Sequence, residues 1–240
     1  MNRTWRPTGR RRRPFRRPTA RIGFLLCLLL AAAPQTRAFE LSELDFHLGQ
    51  AWIGNGYTED ADGKSVQGSD VSPLNFTAGF GAQLELAPLV KLAPTLLLYW
   101  QEYLETPSGK AVPTQIETGS AAGDLAGSLA LLLSVPYVYE WSLNETMAIS
   151  AGASPSFVFR LPVRPIEDSE VGGLYGYFFS EARFIVPEIL GSFLYRINDT
   201  VRFGINLRIF LPVHNLWTKY EVAFFDEAMI LPNLELRLTP

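Results

Sequence analysis

Cysteine is nearly absent: of 240 residues only Cys27 is one, and it lies in the leading segment. Residues 39–240 therefore offer neither a disulfide framework nor a thiolate metal site. Lysine is almost as scarce. Lys64, Lys91, Lys110 and Lys219 are the four in the chain, and with seven arginines they face 24 acidic residues after Ala38, a net charge of −13. That balance argues against nucleic acid as a partner, because binding to phosphate backbones runs on cationic contacts. Long apolar runs are missing too. The longest uncharged run beyond residue 38, Leu125 to Tyr139, has 15 residues and contains Pro136. A helix needs roughly 20 apolar residues to cross the hydrocarbon of a bilayer, so this part of the chain can enter a membrane only as strands.

The leading segment holds what the rest lacks. Residues 1–21 contain nine arginines, four of them in the run Arg10-Arg11-Arg12-Arg13, and no acid. An apolar stretch of 12 residues, Ile22 to Ala33, comes next, followed by Pro34-Gln35-Thr36-Arg37-Ala38. A basic region, a short apolar region and a small residue, in that order, make a secretory signal peptide. Residues 1–38 are expected to be that signal, cut after Ala38, and residues 39–240 a single barrel domain. Cys27 follows Leu26 rather than the small residue that lipidation requires, and reads as apolar filler.

Alternation with period two dominates residues 39–240. In Val201 to Leu211 the positions Val201, Phe203, Ile205, Leu207, Ile209 and Leu211 are large and apolar, while the positions between are mostly Arg, Gly and Asn. Phe76 to Leu86 has one apolar face and one face of Thr, Gly, Gln and Glu. Leu44-Asp45-Phe46-His47-Leu48 opens the pattern and Leu234-Glu235-Leu236-Arg237-Leu238 closes it. Between them, strands are expected at 92–104, 123–137, 146–161 and 174–186, each longer than the roughly 9–11 residues a tilted strand needs to span a bilayer. The connections at 55–72, 105–121, 163–173 and 214–227 are polar and mostly acidic. The others are short, and two repeat one motif: Leu143-Asn144-Glu145-Thr146-Met147 and Ile197-Asn198-Asp199-Thr200-Val201. Long loops at one end and tight turns at the other, with both termini at the turn end, is the layout of an all-β, up-and-down antiparallel transmembrane barrel of about eight strands.

A soluble barrel would turn the apolar face inward and coat the outside with charge. Here the polar-side positions are rich in small residues (Gly79, Gly81, Ala126, Ser128, Ala130, Ser150, Gly152, Ser154, Ser156), which suits a crowded lumen. Aromatics gather near the strand ends: Trp52, Tyr99, Trp100, Tyr137, Tyr139, Trp141, Tyr175, Tyr177, Trp217 and Tyr220. Interfacial girdles of this kind accompany lipid-facing strands. On these features the chain resembles the small outer-membrane barrels of the OmpX/OmpW kind. The resemblance covers the signal and all of 39–240 at the level of pattern. It implies an outer membrane of a Gram-negative-type envelope, with membrane lipid and the barrel-insertion machinery as partners. One departure is the C-terminus, which ends Leu238-Thr239-Pro240 where such proteins end on an aromatic residue.

Turning the polar faces inward places a charge network in the lumen: Asp45, His47, Glu85, Asp124, Glu181 and Glu235 with Arg160, Arg183, Arg202, Arg208 and Arg237. Isolated charges in a narrow barrel are costly, so these must pair, and an eight-stranded interior is just filled by side chains. The expectation is a plugged lumen and a structural or interaction role through the acidic loops, whose partner the sequence does not identify. The alternatives are a narrow porin-like channel for small or apolar solutes and a soluble, lipocalin-like periplasmic barrel with an apolar ligand. No enzyme is expected. Asp45 and His47 share a face, but Ser42 has the opposite parity and Gly49 stands two residues beyond His47, where lipid A deacylases carry serine. No cofactor or metal site is expected either: Asp60-Ala61-Asp62-Gly63 matches only a fragment of a calcium loop.

Overall fold

The alternating segments close into a cylinder in the computed structural model, which describes residues 40–54, 57–59, 64–67, 75–105, 111–113, 124–165, 171–218 and 227–240. The eight strands are β1 (Glu40–Ile53), β2 (Asn75–Ala87), β3 (Val90–Leu92 and Thr95–Glu105) and β4 (Asp124–Ser134 and Tyr137–Ser142). They continue with β5 (Met147–Ser154 and Ser156–Pro165), β6 (Glu188–Arg196), β7 (Val201–Phe210) and β8 (Met229–Leu238). Each pairs antiparallel with its sequence neighbours, and β1 pairs with both β2 and β8, which closes the barrel. The signal segment, the side chain of Asp124, most acids of the long loops and Asp60–Gly63 fall outside the described residues.

Three adjacent strands break at a proline on one level. Thr95 pairs with Ser134 and Ser134 with Ser156, just to one side of Pro94, Pro136 and Pro155; Leu92, Tyr137 and Ala153 are neighbours on the other side. Proline cannot donate to the ladder, so the backbone there is tied differently. Ala93 N–H donates to the Pro136 carbonyl at 2.9 Å, Ala82 N–H to the Pro94 carbonyl at 3.0 Å, and Val135 N–H to the Ser154 hydroxyl at 3.1 Å. Parity survives each break: Ala93 and Thr95, Ser134 and Pro136, Ser154 and Ser156 are all buried in the lumen.

The repeated Asn-x-Thr motif closes the two turns before β5 and β7. Asn144 Oδ1 accepts from the N–H groups of Thr146 and Met147, and Asn198 Oδ1 from those of Thr200 and Val201, all at 2.8–2.9 Å. Asparagine is suited to this, because its side chain reaches its own backbone two residues on. β8 ends at Leu238, so Pro240 lies beyond the ladder.

The sixth strand is not where the alternation predicts it. Residues 174–186 form the end of helix α1 (Val171–Phe179) and a turn with positive φ at Glu181 (50°) and Ala182 (60°), and β6 begins only at Glu188. The misplacement has a clear source. In β6 the outer face carries Ile189, Phe193 and Tyr195, but the inner face mixes Leu190 and Leu194 with Glu188 and Ser192, so period two is blurred. Helix α1 in turn meets a need of the fold. Beyond Phe157, which bridges Ile185, the outer half of β5 pairs with β4 alone among the described residues. An open strand edge is costly in lipid, and the aromatic ring of Phe179 packs near Phe159 of that strand at 6.4 Å.

The faces are arranged as a lipid-spanning barrel requires. Phe46, Leu48, Phe80, Leu133, Ile149, Phe193, Phe203, Ile205 and Leu234 are exposed on the outside, whereas Glu43, Asp45, Gln101, Arg208, Glu235 and Arg237 are buried within. This is the inverse of a soluble barrel and sets aside the lipocalin-like alternative. Tyr137, Tyr139, Trp141 and Tyr195 lie outward toward the turn end, and Trp52 and Trp100 toward the loops. Tyr99 departs from the expected girdle: its odd parity in β3 turns it into the lumen, 2% exposed.

Candidate functional site

Among the described residues the lumen gathers most of the buried polar side chains, and it is layered. At the turn end Glu43 of β1, Lys91 of β3, Glu140 of β4, Arg202 of β7 and Arg237 of β8 converge. Arg202 Nε donates to Glu43 Oε1 at 2.6 Å and its Nη1 to Glu140 Oε1 at 2.8 Å, while Arg237 Nη1 donates to Glu140 Oε2 at 2.8 Å. Lys91 Nζ reaches Glu43 and Glu140 at 3.3 and 3.2 Å. Every cation here shares its partners, so no ion of the group stands uncompensated, which is the condition for burying charge at all.

One step inward lie Asp45 and His47 of β1 and Glu235 of β8. His47 and Glu235 are direct partners across the β1–β8 ladder, and Asp45 faces Arg237 in the same register. Gln83 of β2 donates its amide to Asp45 Oδ2, and Arg237 Nε donates to Glu235 Oε1 at 2.8 Å. Next comes a ring around Arg208 of β7. Its guanidinium donates to Glu188 Oε1 (3.1 Å), the Ser134 and Thr95 hydroxyls (3.1 and 3.0 Å) and Asn206 Oδ1 (3.0 Å), and Ser156 Oγ donates to the second Glu188 oxygen at 2.8 Å.

Above that ring the lumen turns apolar: Ala51, Ile53, Leu97, Tyr99, Ala130, Leu132, Val158, Phe210, Met229 and Leu231, with Val186, form one buried cluster. At the loop end Arg160 Nε donates to Tyr103 Oη at 2.9 Å, and Phe178 of α1 sits edge-on to Tyr103, ring centroids 4.9 Å apart. Tyr177 Oη donates to Glu227 Oε1 at 2.6 Å, and His214 Nε2 lies 3.3 Å from the other Glu227 oxygen. Burial raises the Glu227 carboxyl, but the His214 contact, the Tyr177 hydroxyl and the Arg160 charge outweigh it and hold the group below the ordinary carboxylate range. Tyr177 is pushed well above the usual phenol range by burial and by the neighbouring Glu227 charge.

The expected network is thus divided among several places. Asp45, His47, Arg202, Arg208, Glu235 and Arg237 come together in the lower lumen, and Arg160 stands apart at the loop end. Glu85 is exposed at the end of β2. Glu181 and Arg183 belong to the turn after α1, pairing with each other at 2.5 Å, and Arg183 also stacks over the Tyr177 ring. Asp124 is placed in β4 opposite Glu105 by its backbone. Glu43, Lys91, Glu140, Glu188 and Glu227 join the lumen unanticipated. Glu43 shares its parity with Asp45 and His47 and was legible on that ground; Glu188 was hidden by the misplaced sixth strand. Neither ring nitrogen of His47 has a hydrogen-bond partner, and the Ser42 hydroxyl donates to the Gln83 carbonyl, so no serine–histidine pair is assembled there.

No family model matches the chain, and no curated protein does. Among solved structures it is similar to neisserial surface protein A, at 10% identity and a TM-score of 0.49 over 85% of this chain and 100% of that one. It is also similar to the outer membrane protein OprG from Pseudomonas aeruginosa, at 10% identity and a TM-score of 0.48 over 85% and 99% of the two chains. A third is Ail, the attachment invasion locus protein of Yersinia pestis, at 8% identity and a TM-score of 0.36 over 83% and 99%.

Proposed function

We propose that the chain is an integral outer-membrane barrel of a Gram-negative-type envelope, a stable anchor whose plugged lumen carries no solute and whose acidic loops serve a structural or interaction role. The observation that carries this reading is the layered lumen. Charge-paired groups at the turn end and a buried block including Leu97, Leu132, Phe210 and Leu231 support a filled lumen over an open one. Lipid is the partner of the outer apolar face, the insertion machinery that of the nascent barrel, and a surface ligand that of the loops. Exported by its signal peptide, the protein would work without cofactor or catalysis.

Planar-bilayer recording tests this directly. Reconstituted protein is expected to give no steady single-channel conductance in molar salt. A reproducible conductance step would favour the narrow channel instead, and substitution of Leu132 or Phe210 by alanine would then raise it.

A further inference from the structure

Asp45, His47 and Glu235 each offer a ligand atom, and these atoms lie within 4.8 Å of one another in the closed lumen. All three residues are buried, at 1%, 3% and 1% exposure. The free atoms are the notable part. Asp45 Oδ1, both nitrogens of His47 and Glu235 Oε2 have no hydrogen-bond partner, although an unsatisfied buried polar atom is expensive. The opposite oxygens of both carboxylates are held, Asp45 Oδ2 by the Gln83 amide and Glu235 Oε1 by Arg237. Each acid is thereby fixed with one oxygen spare, as the outer-shell partners of a metal ligand fix it.

The ladder partners of the three side chains are glycines, Gly79 opposite His47, Gly81 opposite Asp45 and Gly204 opposite Glu235, and contribute no side-chain donor or acceptor to the cluster. The charge balance also suits a cation. Below the apolar block the buried and half-buried charges are Glu43, Asp45, Glu140, Glu188 and Glu235 against Lys91, Arg202, Arg208 and Arg237, one more acid than base with His47 set aside. Arg237 Nε is 3.7 Å from Asp45 Oδ1, beyond hydrogen-bonding distance, and Arg237 keeps Glu235 and Glu140 as closer partners, while Arg208 is held by Glu188.

We infer that Asp45, His47 and Glu235 form a binding site for one divalent transition-metal ion inside the barrel, oriented by Gln83 and Arg237. One imidazole and two carboxylates suit zinc and its first-row neighbours; calcium and magnesium prefer all-oxygen shells. The site sits one layer above side chains that are 12–14% exposed at the turn end (Lys91, Glu140, Arg202), so that mouth is its route to solvent. The ion would clamp β1 to β8, the pair that closes the barrel.

Protein purified from membranes in detergent, stripped with chelator and titrated with Zn²⁺ in a calorimeter tests the inference. One Zn²⁺ per barrel is expected, uncompeted by excess Ca²⁺ or Mg²⁺. His47→Gln should abolish that binding, His214→Gln should retain it, and Gln83→Leu should weaken it about 10–100-fold. Heat-modifiable gel mobility reports whether each variant is folded. No Zn²⁺ binding tighter than about 1 mM in the wild-type barrel would overturn the site, as would unchanged stoichiometry in a folded His47→Gln barrel; ordered water would then satisfy the same atoms. Should His47→Gln not fold, zinc-edge X-ray absorption on His214→Gln protein decides, because His47 is then the only histidine left. A nitrogen donor in the shell supports the site and an all-oxygen shell overturns it.

Discussion

Toward the tight turns the lumen holds Glu43, Lys91, Glu140, Arg202 and Arg237; toward the loops it holds Ile53, Leu97, Leu132, Phe210 and Met229. The two halves are lined by opposite means. The apolar half gains from each methylene taken out of water. The charged half gains little on balance, because the desolvation of each ion offsets most of its attraction to its partners. What ion pairing does supply is directionality. Arg237 reaches side chains on β1, β4 and β8 at once, and Arg202 those on β1 and β4, so the floor fixes which strands face each other in a way that interchangeable apolar groups do not.

The contrast predicts a graded set of losses. Arg237→Met should have the largest effect. It leaves Glu235, Asp45, Glu140 and Glu43 short of a cation, and loss of one member of a buried pair costs about 3–5 kcal/mol. Urea unfolding in detergent, with heat-modifiable mobility as a second readout, measures it; an unchanged midpoint would mean that water, not Arg237, neutralises the floor. Leu132→Ala in the apolar half should cost roughly 2–4 kcal/mol, the price of a buried leucine cavity. If it instead costs nothing, that half is already loosely packed.

Asn144→Ala and Asn198→Ala act on the turns and leave both halves intact, so each is expected to lower stability by only about 0.5–1.5 kcal/mol, the net worth of ordinary hydrogen bonds. The smallest effect is a local one at the loop-end cap. Glu227 is held below the ordinary glutamate value, so its stabilising contribution is complete above pH 4.5 and is lost as the pH falls through the lowered value. Protection factors for amide exchange in Val171–Phe179 should therefore fall at acid pH while those of β6–β8 are kept. Equal protection factors at acid and neutral pH would show that Phe178 and Tyr103, rather than the Tyr177–Glu227 bond, hold α1 down.

Much of this architecture was readable along the chain, and the exceptions are informative. β2, β5 and β7 lie close to the expected ranges because one face is apolar and the other is small or polar. The Asn144 and Asn198 turns were readable because their chemistry is local. β6 was not, since lumen and lipid both receive apolar side chains there. The charge network was half legible: the parity of Asp45, His47, Arg202 and Glu235 assigns a face, but parity is silent on height. Glu85, with the same parity, ends outside, while Glu43 ends at the centre of the floor.

The sequence by itself determined that no helix of residues 39–240 spans a bilayer, that strands alternate around a polar inside, and that tight turns and long loops segregate to opposite ends. All of these follow from period, composition and turn residues within a few positions of one another. Only the tertiary structure decided that β1 meets β8, bringing Glu235 beside Asp45 and His47, that most lumen charges settle toward the turn end beneath an apolar block, and that α1 covers the bare edge of β5. Those outcomes depend on barrel closure and on the register between strands distant in sequence. A period of two repeats identically along every strand and carries no information about either.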